Sequence, residues 1–543
     1  MEADLDSNKN TVLQLASIFP VNPKPEKEIK LRRRRSIIRE FSLNTSTHGI
    51  PGIARSESIH NRIFWTVAFV IFLGIMLYFI VEAIRAYFEY PTQTTVELKS
   101  ERSQLFPAFT FCNGGGVRYD MVLQAYLNYI QTLNLTNSTD ADLSPANTLQ
   151  FIMLYLPILI NSGFSIDVYT FSLESMLIQC TYADNQCTAK DFTSFYSATY
   201  GRCYTFNAKT KNNTLLYSYS NSGLGVLSLR LYLYDHLYIT YRSEGRRKVF
   251  TEFSCVIPVY FVYIYIGVAI MAMVHDNTQL PTIERAGMTL APGFKHRLTY
   301  TKKSVYSLPP PYSSCTSDIP LSMKSMFDKY NGADYAYSED ICYIICQQTY
   351  VYTKCGCVSP AQWNVRSIIL PGTSQVISVP LCNTTNPCFG PATIEFEVTS
   401  SIINEYCTAC AQQCSITSFS VKSSIATTPP DWLIPVIKSF VENSSMPLPS
   451  DWNTEWQTHI KASYLSLDLL SESTLVENYT QTATMGFVDV LSNIGGQTGL
   501  WIGISFLSLM EFVEMIYRLI RYHFYLMGRA KQKKINNPVS LRV

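Results

Sequence analysis

Two long uncharged apolar runs punctuate this chain. Ile63–Val81 holds 19 such residues and Val490–Met510 holds 21, each enough to cross a bilayer as a helix. The first is aliphatic and aromatic throughout and reads as an uncleaved signal anchor. The second is crowded with small and polar residues, and Glu511 and Glu514 follow it at once. Its Gly495, Gly499 and Gly503 are spaced four apart, which lets helices approach closely. Ser505, Ser508, Glu511 and Glu514 recur every three residues and share one helical face. Carboxylates beside a membrane usually face a bundle interior or a water path. The second run therefore reads as a pore wall; the rival reading is a Glu pair that snorkels to headgroups.

A third run, Ser254–Val274, also has the length to span. Its Pro258 and its β-branched, Tyr-rich makeup predict buried strands instead. Parity agrees, because a third crossing would put either the basic tail or half the cysteines on the wrong side. Leu149–Ile160 is shorter, contains Pro157, and predicts a buried helix. Between these runs, Leu227–Tyr234 and Val376–Val379 alternate as strands do. Ser322–Tyr330 predicts a helix that continues through Asp340–Tyr350.

Charge fixes the orientation. Lys24, Lys27, Lys30, Arg32–Arg35, Arg39, Arg55 and Arg62 precede the first run. Arg518, Arg521, Arg529, Lys531, Lys533 and Lys534 follow the second, and no acid follows Glu514. The positive-inside rule places both termini in the cytosol and about 400 residues outside. The 15 cysteines all lie between Cys112 and Cys414. Six glycosylation sequons, at Asn134, Asn137, Asn212, Asn383, Asn443 and Asn478, lie between the runs, as an oxidising extracellular compartment predicts. A seventh, Asn44, falls on the cytosolic side and should stay bare. A net charge of +2 gives no bulk argument for nucleic acid.

No HExxH, GxSxG or GxxxxGK[ST] occurs, so no enzyme motif competes. The clusters Cys342-x3-Cys346, Cys355-x-Cys357 and Cys407-x2-Cys410-x3-Cys414 contain no histidine, and their compartment favours disulfides over zinc. Pro309-Pro310-Pro311-Tyr312 matches a WW-domain ligand pattern, but topology puts it outside the cell.

These residues together resemble the degenerin/epithelial sodium channel (DEG/ENaC) family, which includes acid-sensing and peptide-gated channels. The resemblance runs from Ser42 to Leu519 with motifs in family order. FSLNTSTHG (Phe41–Gly49) resembles the cytosolic His-Gly motif, and RIFW (Arg62–Trp65) the start of the first span. FPAFTFCN (Phe106–Asn113) resembles the post-span signature, YGRCYTFN (Tyr200–Asn207) the finger-to-palm cysteine motif, and LPPPYSSC (Leu308–Cys315) the membrane-proximal loop. GGQTGLWIGIS (Gly495–Ser505) resembles the pore signature.

The resemblance implies an α+β integral membrane protein in which two transmembrane helices flank a large, disulfide-rich, β-containing, hand-like ectodomain, assembled as a trimeric channel. Residues 1–61 would be the cytosolic N-terminal region, 62–82 the first transmembrane helix, and 83–487 the extracellular cysteine-rich domain. Residues 488–519 would be the second helix with the selectivity filter, and 520–543 the basic cytosolic tail. Gly503, Ile504 and Ser505 would select Na⁺, with Glu511 and Glu514 along its path. His48, Gly49, Ser492, Tyr90 and Tyr312 would serve gating. Gly49 suits a reentrant turn that wants φ > 0, and a bulky group at Ser492 would hold the pore open by steric interference. Tyr90 and Tyr312 match an aromatic contact that couples ectodomain to pore.

Seven bridges are implied: Cys112–Cys203, Cys180–Cys187, Cys315–Cys414, Cys342–Cys410, Cys346–Cys407, Cys355–Cys388 and Cys357–Cys382. Residues from about His236 to Val262 are extra length by the family's pattern and contain the unpartnered Cys255. Asn493 stands where proton-gated relatives often carry Asp.

The function expected is a sodium-selective, amiloride-sensitive, non-voltage-gated cation channel of the plasma membrane, opened through its extracellular domain by a proton, peptide, small molecule or force. Its partners would be the bilayer and related subunits in a homo- or heterotrimer. No cofactor and no structural metal is expected, only the transported Na⁺. The alternatives are a non-conducting surface receptor or accessory subunit, and an ATP-gated trimeric channel.

Overall fold

The computed structural model describes residues 34–123, 125, 158–212, 214–219, 225–238, 242–243, 246–247, 267–330, 333–370, 372–383 and 386–536. Asn134, Asn137, Cys255 and most of the His236–Val262 stretch lie outside them. The chain divides into two compact units, Met1–Tyr90 with Met485–Val543, and Pro91–Thr484.

The first unit is helical: α1 (Arg34–Asn44), α2 (Ile50–Arg55), α3 (Ile59–Phe88), α10 (Phe487–Ile502) and α11 (Phe506–Asn536). Among the described residues, only α3 is by itself long and apolar enough to cross a membrane. Its Ile63, Val67, Ile71 and Leu77 stay at least half exposed, as a lipid-facing surface would be. α10 and α11 reach the same length and apolarity together, but with a 74° bend between them. The single continuous helix expected over the second run is therefore two helices. Gly503 ends α10 in the left-handed region, at φ +67°, which a side-chain-bearing residue rarely adopts. The tail expected from residue 520 stays helical to Asn536.

The second unit is built on two large sheets, with three two-stranded ribbons beside them among the described residues. The strands of the large sheets are β1 (Thr92–Ser100), β2 (Ala108–Asn113), β3 (Leu177–Tyr182), β4 (Asn185–Cys187), β5 (Phe192–Ser197) and β6 (Gly201–Phe206), followed by β7 (Leu227–Tyr232), β8 (Ile270–His275), β9 (Met288–Leu290), β10 (Phe294–Tyr306), β11 (Ser415–Thr427) and β12 (Tyr464–Ala483). The larger sheet runs β11-β10-β12-β7-β3-β4, with β1 also pairing on β12. β12 is long enough to pair antiparallel with β7 through Tyr464–Leu469 and then with β1 from Leu475 to Ala483. β10 lies parallel to it. Leu465, Leu467 and Leu469 alternate inward on β12, fully buried, which is the period-two signature of a strand with one core face. The smaller sheet, β9-β8-β2-β6-β5, is antiparallel throughout. Its β2 is buried at all six positions, as a central strand packed on both faces requires.

Helices α4 (Leu321–Phe327), α5 (Glu339–Cys355), α6 (Phe389–Val398) and α7 (Ser400–Tyr406) follow in the chain; α5 carries Cys342, Cys346 and Cys355, Cys388 precedes α6 and Cys407 follows α7. The helix expected to run from Ser322 through Tyr350 is two helices, because α4 ends at Phe327 and Ser338 caps a new start at α5 by accepting from the Ile341 amide. A further pair, α8 (Ile434–Glu442) and α9 (Trp452–Ser463), buries Ile437 and Ile460 in the same core as Phe106, Phe109, Leu231 and Leu467. Of the third apolar run, residues 254–266 lie outside the described residues and Ile270–Val274 forms part of β8, a strand as expected. Of Leu149–Ile160, only residues from 158 are described, and they are helical.

Candidate ion path

The break at Gly503-Ile504-Ser505 is held by the segment that precedes α2. The His48 amide donates to Ile502 O at 2.7 Å, satisfying a carbonyl that the end of α10 leaves open. The Gly503 and Ile504 amides turn back to Gly499 O and Thr498 O. A Cβ on Gly503 would sit 2.8 Å from the His48 ring, so both backbone conformation and space demand glycine there. Gly49 sits at φ +87°, the positive φ expected of a reentrant turn, and a Cβ on it would lie 3.0 Å from the Phe69 ring.

Ser508 is the hub below the break. Its buried hydroxyl lies 2.6 Å from Ser46 Oγ and 3.3 Å from Ser505 Oγ, and it accepts from the Ser505 amide at 3.1 Å. The Ser46 amide donates to Glu511 Oε2 at 3.0 Å. One turn on, Arg518 bonds Glu514 at 2.5 Å and reaches Glu40 at 3.5 Å. Phe41 packs edge-on against Phe512. These groups enclose a polar cavity of about 260 Å³ lined by Glu40, Asn44, Glu511, Glu514 and Arg518. The geometry brings His48, Gly49, Gly503, Ser505, Ser508, Glu511 and Glu514 into one neighbourhood. Of the three carbonyls at the break, Ser505 O already accepts from the Leu509 amide at 3.1 Å, and Gly503 O takes only a 3.4 Å contact from Ser508 Oγ.

Sequence reasoning missed Ser46, Glu40 and Arg518. The four-residue spacing from Glu514 to Arg518 was a readable signal. Nothing in the sequence pointed to Ser46, which acts across 465 residues. Trp501 was also missed; it stacks on Phe72 and Phe79 of α3, ring centroids 6.0 and 6.1 Å away. Ser492, Gly495 and Gly499 lie on α10, with Ser492 exposed and open space beside both glycines. Tyr90 takes a positive φ of 49° just after α3.

In the second unit, Tyr312 follows the cis Pro310–Pro311 bond and donates its amide to Pro309 O. Six of the expected disulfides are formed: Cys112–Cys203, Cys180–Cys187, Cys315–Cys414, Cys342–Cys410, Cys355–Cys388 and Cys357–Cys382. The seventh is a correction, since Cys346 and Cys407 are buried thiols rather than a bridge. Cys346 Sγ lies 3.3 Å from Cys410 Sγ, against the Cys342–Cys410 bond. Cys346 Sγ donates to Tyr406 O at 3.5 Å, and its interaction with Cys407 raises the Cys346 pKa and lowers that of Cys407. The sulfurs of Cys342, Cys346 and Cys410 lie within 4.8 Å of one another, but two are bonded together and cannot serve as thiolate ligands. Asn212, Asn383 and Asn443 are exposed, and Asn478 on β12 is half-buried.

A histidine pair was also overlooked. His236, just after β7, holds Pro447 O at 2.7 Å through Nε2, and its buried Nδ1 has no partner. Its ring centroid lies 6.5 Å from that of His459 on α9, whose Nε2 meets Asp451 at 2.8 Å. Burial pushes the His236 pKa down, against the opposing pull of Pro447 O, Asp235 and Asp120; His459 adds to the lowering.

Residues 41–515 match the family described as "Amiloride-sensitive sodium channel". Acid-sensing ion channel 1C of Danio rerio is 25% identical over 500 residues, covering 90% of this chain and 84% of its own length. Acid-sensing ion channel 1 of Gallus gallus is 25% identical over 515 residues, with 92% and 87% covered. Acid-sensing ion channel 2 of Homo sapiens is 25% identical over 503 residues, with 90% and 87% covered.

Proposed function

Since this chain belongs to the amiloride-sensitive sodium channel (DEG/ENaC) family, a family of ion channels and not of enzymes, we propose that it is a subunit of a Na⁺-selective, amiloride-blocked channel gated through Pro91–Thr484. The coarse class is a cation channel subunit of the plasma membrane. The observation that carries the finer reading is the break at Gly503–Ser505, held by His48 and followed by Ser508, Glu511 and Glu514. Backbone and hydroxyl oxygens at such a break replace part of an ion's hydration shell, and carboxylates concentrate cations.

Both termini face the cytosol in this reading, and the subunits assemble as a homo- or heterotrimer with a hand-like ectodomain. Tyr90 and Tyr312 relay its movement, and opening separates the α10 helices at Ser492. Asn134, Asn137, Asn212, Asn383, Asn443 and Asn478 carry the glycans. The test is whole-cell current from the chain expressed alone, unmodified and as Ser492→Phe, in Na⁺ with and without amiloride. A constitutive, amiloride-blocked inward current in the variant is the expected result. Surface-labelled protein without current in either form would overturn the homomeric channel. Epitope tags at the two ends, stained with and without permeabilisation, test the topology separately.

Protons are the stimulus that a specific observation favours. Burial lowers the pKa of His236, which lies beside His459 and has no partner for its buried Nδ1, so acid is what would disturb this site.

A further inference from the structure

Helix α8 has one face in the core and one in water. Ile434, Ile437 and Val441 recur at helical spacing and are buried. The opposite face begins in the 3₁₀ turn Asp431–Leu433 that leads into the helix. It presents Trp432, Val436, Ser439 and Asn443, spaced four, three and four apart and all exposed. Trp432 is 71% exposed and Val436 56%. No charge breaks this stripe. Lys438 and Glu442 lie to its side, Lys438 over the Trp456 ring at 4.4 Å and Glu442 accepting from Trp452 Nε1 at 3.0 Å. An exposed indole one turn from an exposed valine leaves a continuous apolar strip in water.

Asn443 stands at the end of that strip and is the acceptor of the sequon Asn443-Ser444-Ser445. Side chains of a helix tilt toward its N-terminus, so Asn443 points back along α8 rather than off its end. Its contact agrees, because Nδ2 donates to Ser439 Oγ at 3.3 Å. Nδ2 is the atom that bonds the first sugar, and a hydrogen remains on it for Ser439 after that bond forms. The sugar chain starts on the strip and is aimed along it. Val436 lies about 10 Å from Asn443 toward the N-terminus and Trp432 about 6 Å further, at about 1.5 Å per residue. A branched N-glycan core reaches across that distance. Its sugars carry faces rich in C–H groups, which pack on an indole while their hydroxyls stay in water. A second copy of this chain would need the strip bare, and a bulky sugar fixed on it denies that.

We propose that the glycan on Asn443 folds back along α8 and packs on Val436 and Trp432, closing this face to protein contact. This rests on the reading that Asn443 is glycosylated. Glycopeptide mass reports occupancy and Trp432 oxidation reports packing, so a failure of either is told apart.

The experiment uses the full chain purified from glycosylating cells in neutral detergent. It is compared as isolated, after enzymatic removal of N-glycans from the folded protein, and as Ser445→Ala, which breaks only this sequon. Each form takes a brief pulse of hydroxyl radicals, and oxidation is read tryptophan by tryptophan from peptide masses. The expected result is an occupied Asn443 in the isolated chain and a Trp432 that oxidises about twofold faster in both stripped forms, since stacking covers one face of the ring. Trp452 and Trp456 on α9 keep their rates and correct for radicals that the sugar consumes. Ser445 is exposed, so the variant should fold, and glycan removal after folding makes the same comparison without it. Equal Trp432 oxidation in all three forms with Asn443 occupied overturns the proposal, whether the indole is bare throughout or covered by a second copy. An unoccupied Asn443 overturns the proposal and the glycosylation reading together.

Discussion

Gly503 carries two constraints that only a glycine meets together. Its φ of +67° lies where a side chain costs about 1 kcal/mol or more. The His48 ring also occupies the volume a methyl group would need. Gly503→Ala should therefore fold and reach the surface but move His48 away from Ile502 O. The expected readout is a fall in Na⁺ current of at least tenfold at unchanged surface labelling. An unaltered current would show that the contact between the His-Gly segment and the break has no bearing on conduction. The sequence marked Gly49, Gly503 and His48 individually as special. That a histidine ring near residue 50 fills the space beside a glycine near residue 500 was not readable, because pattern reasoning sees only neighbours in sequence.

At the scale of elements, the proposed acid response is expected at the α8–α9 pair. The α8–α9 pair is tied to the end of β7 through His236, which bonds Pro447 O with one nitrogen and leaves the other buried and unpartnered. A second proton on that ring would bring a charge into a buried site and a new N–H with no acceptor in place. Asp235, Asp120 and Asp451 surround the pair at its margins, and Glu442 holds Trp452, whose ring stacks on His459. Since burial lowers the His236 pKa, its neutral form contributes fully above the ordinary histidine range near 6.5. That contribution is lost progressively as pH falls below it. Hydrogen exchange across residues 434–463, corrected for intrinsic rate, should be slow at pH 7.5 and faster at pH 5.5. His236→Gln should remove the difference, and a difference that survives the substitution would acquit this histidine. His275 is fully buried between Thr110 and Asp276 O, and burial pushes its pKa down to about 4, so its neutral form persists into stronger acid.

At the scale of the molecule, two units do separate tasks. The helical unit holds every residue of the candidate ion path, and the β-rich unit holds every formed disulfide. Cys112–Cys203 ties β2 to β6 in the middle of the smaller sheet and closes a loop of 91 residues. By chain entropy such a loop contributes about 4–5 kcal/mol, less whatever order the unfolded chain retains. Cys112→Ala with Cys203→Ala should lower surface labelling severalfold and the melting point of the purified chain by several degrees. A melting point unchanged within error would show that the sheet's core alone supports this unit.

Much of the plan was present in the sequence. Hydropathy located both apolar runs, and alternation found the strands at Leu227–Tyr232 and Val376–Ser378. These are local properties, governed by how neighbouring side chains partition between water, lipid and a core. Motif order gave the family and six of the seven bridges. What the sequence did not determine were contacts between distant parts of the chain. Only the tertiary structure showed that the second run breaks at Gly503, because a 21-residue apolar run satisfies a straight helix equally well until His48 takes the freed carbonyl. Only it showed Cys346 and Cys407 as thiols, since that outcome turns on where the Cys342–Cys410 bond lies. Only it joined Ser46 to Glu511 and Glu40 to Arg518. Each depends on packing geometry, which residue spacing along a chain does not encode.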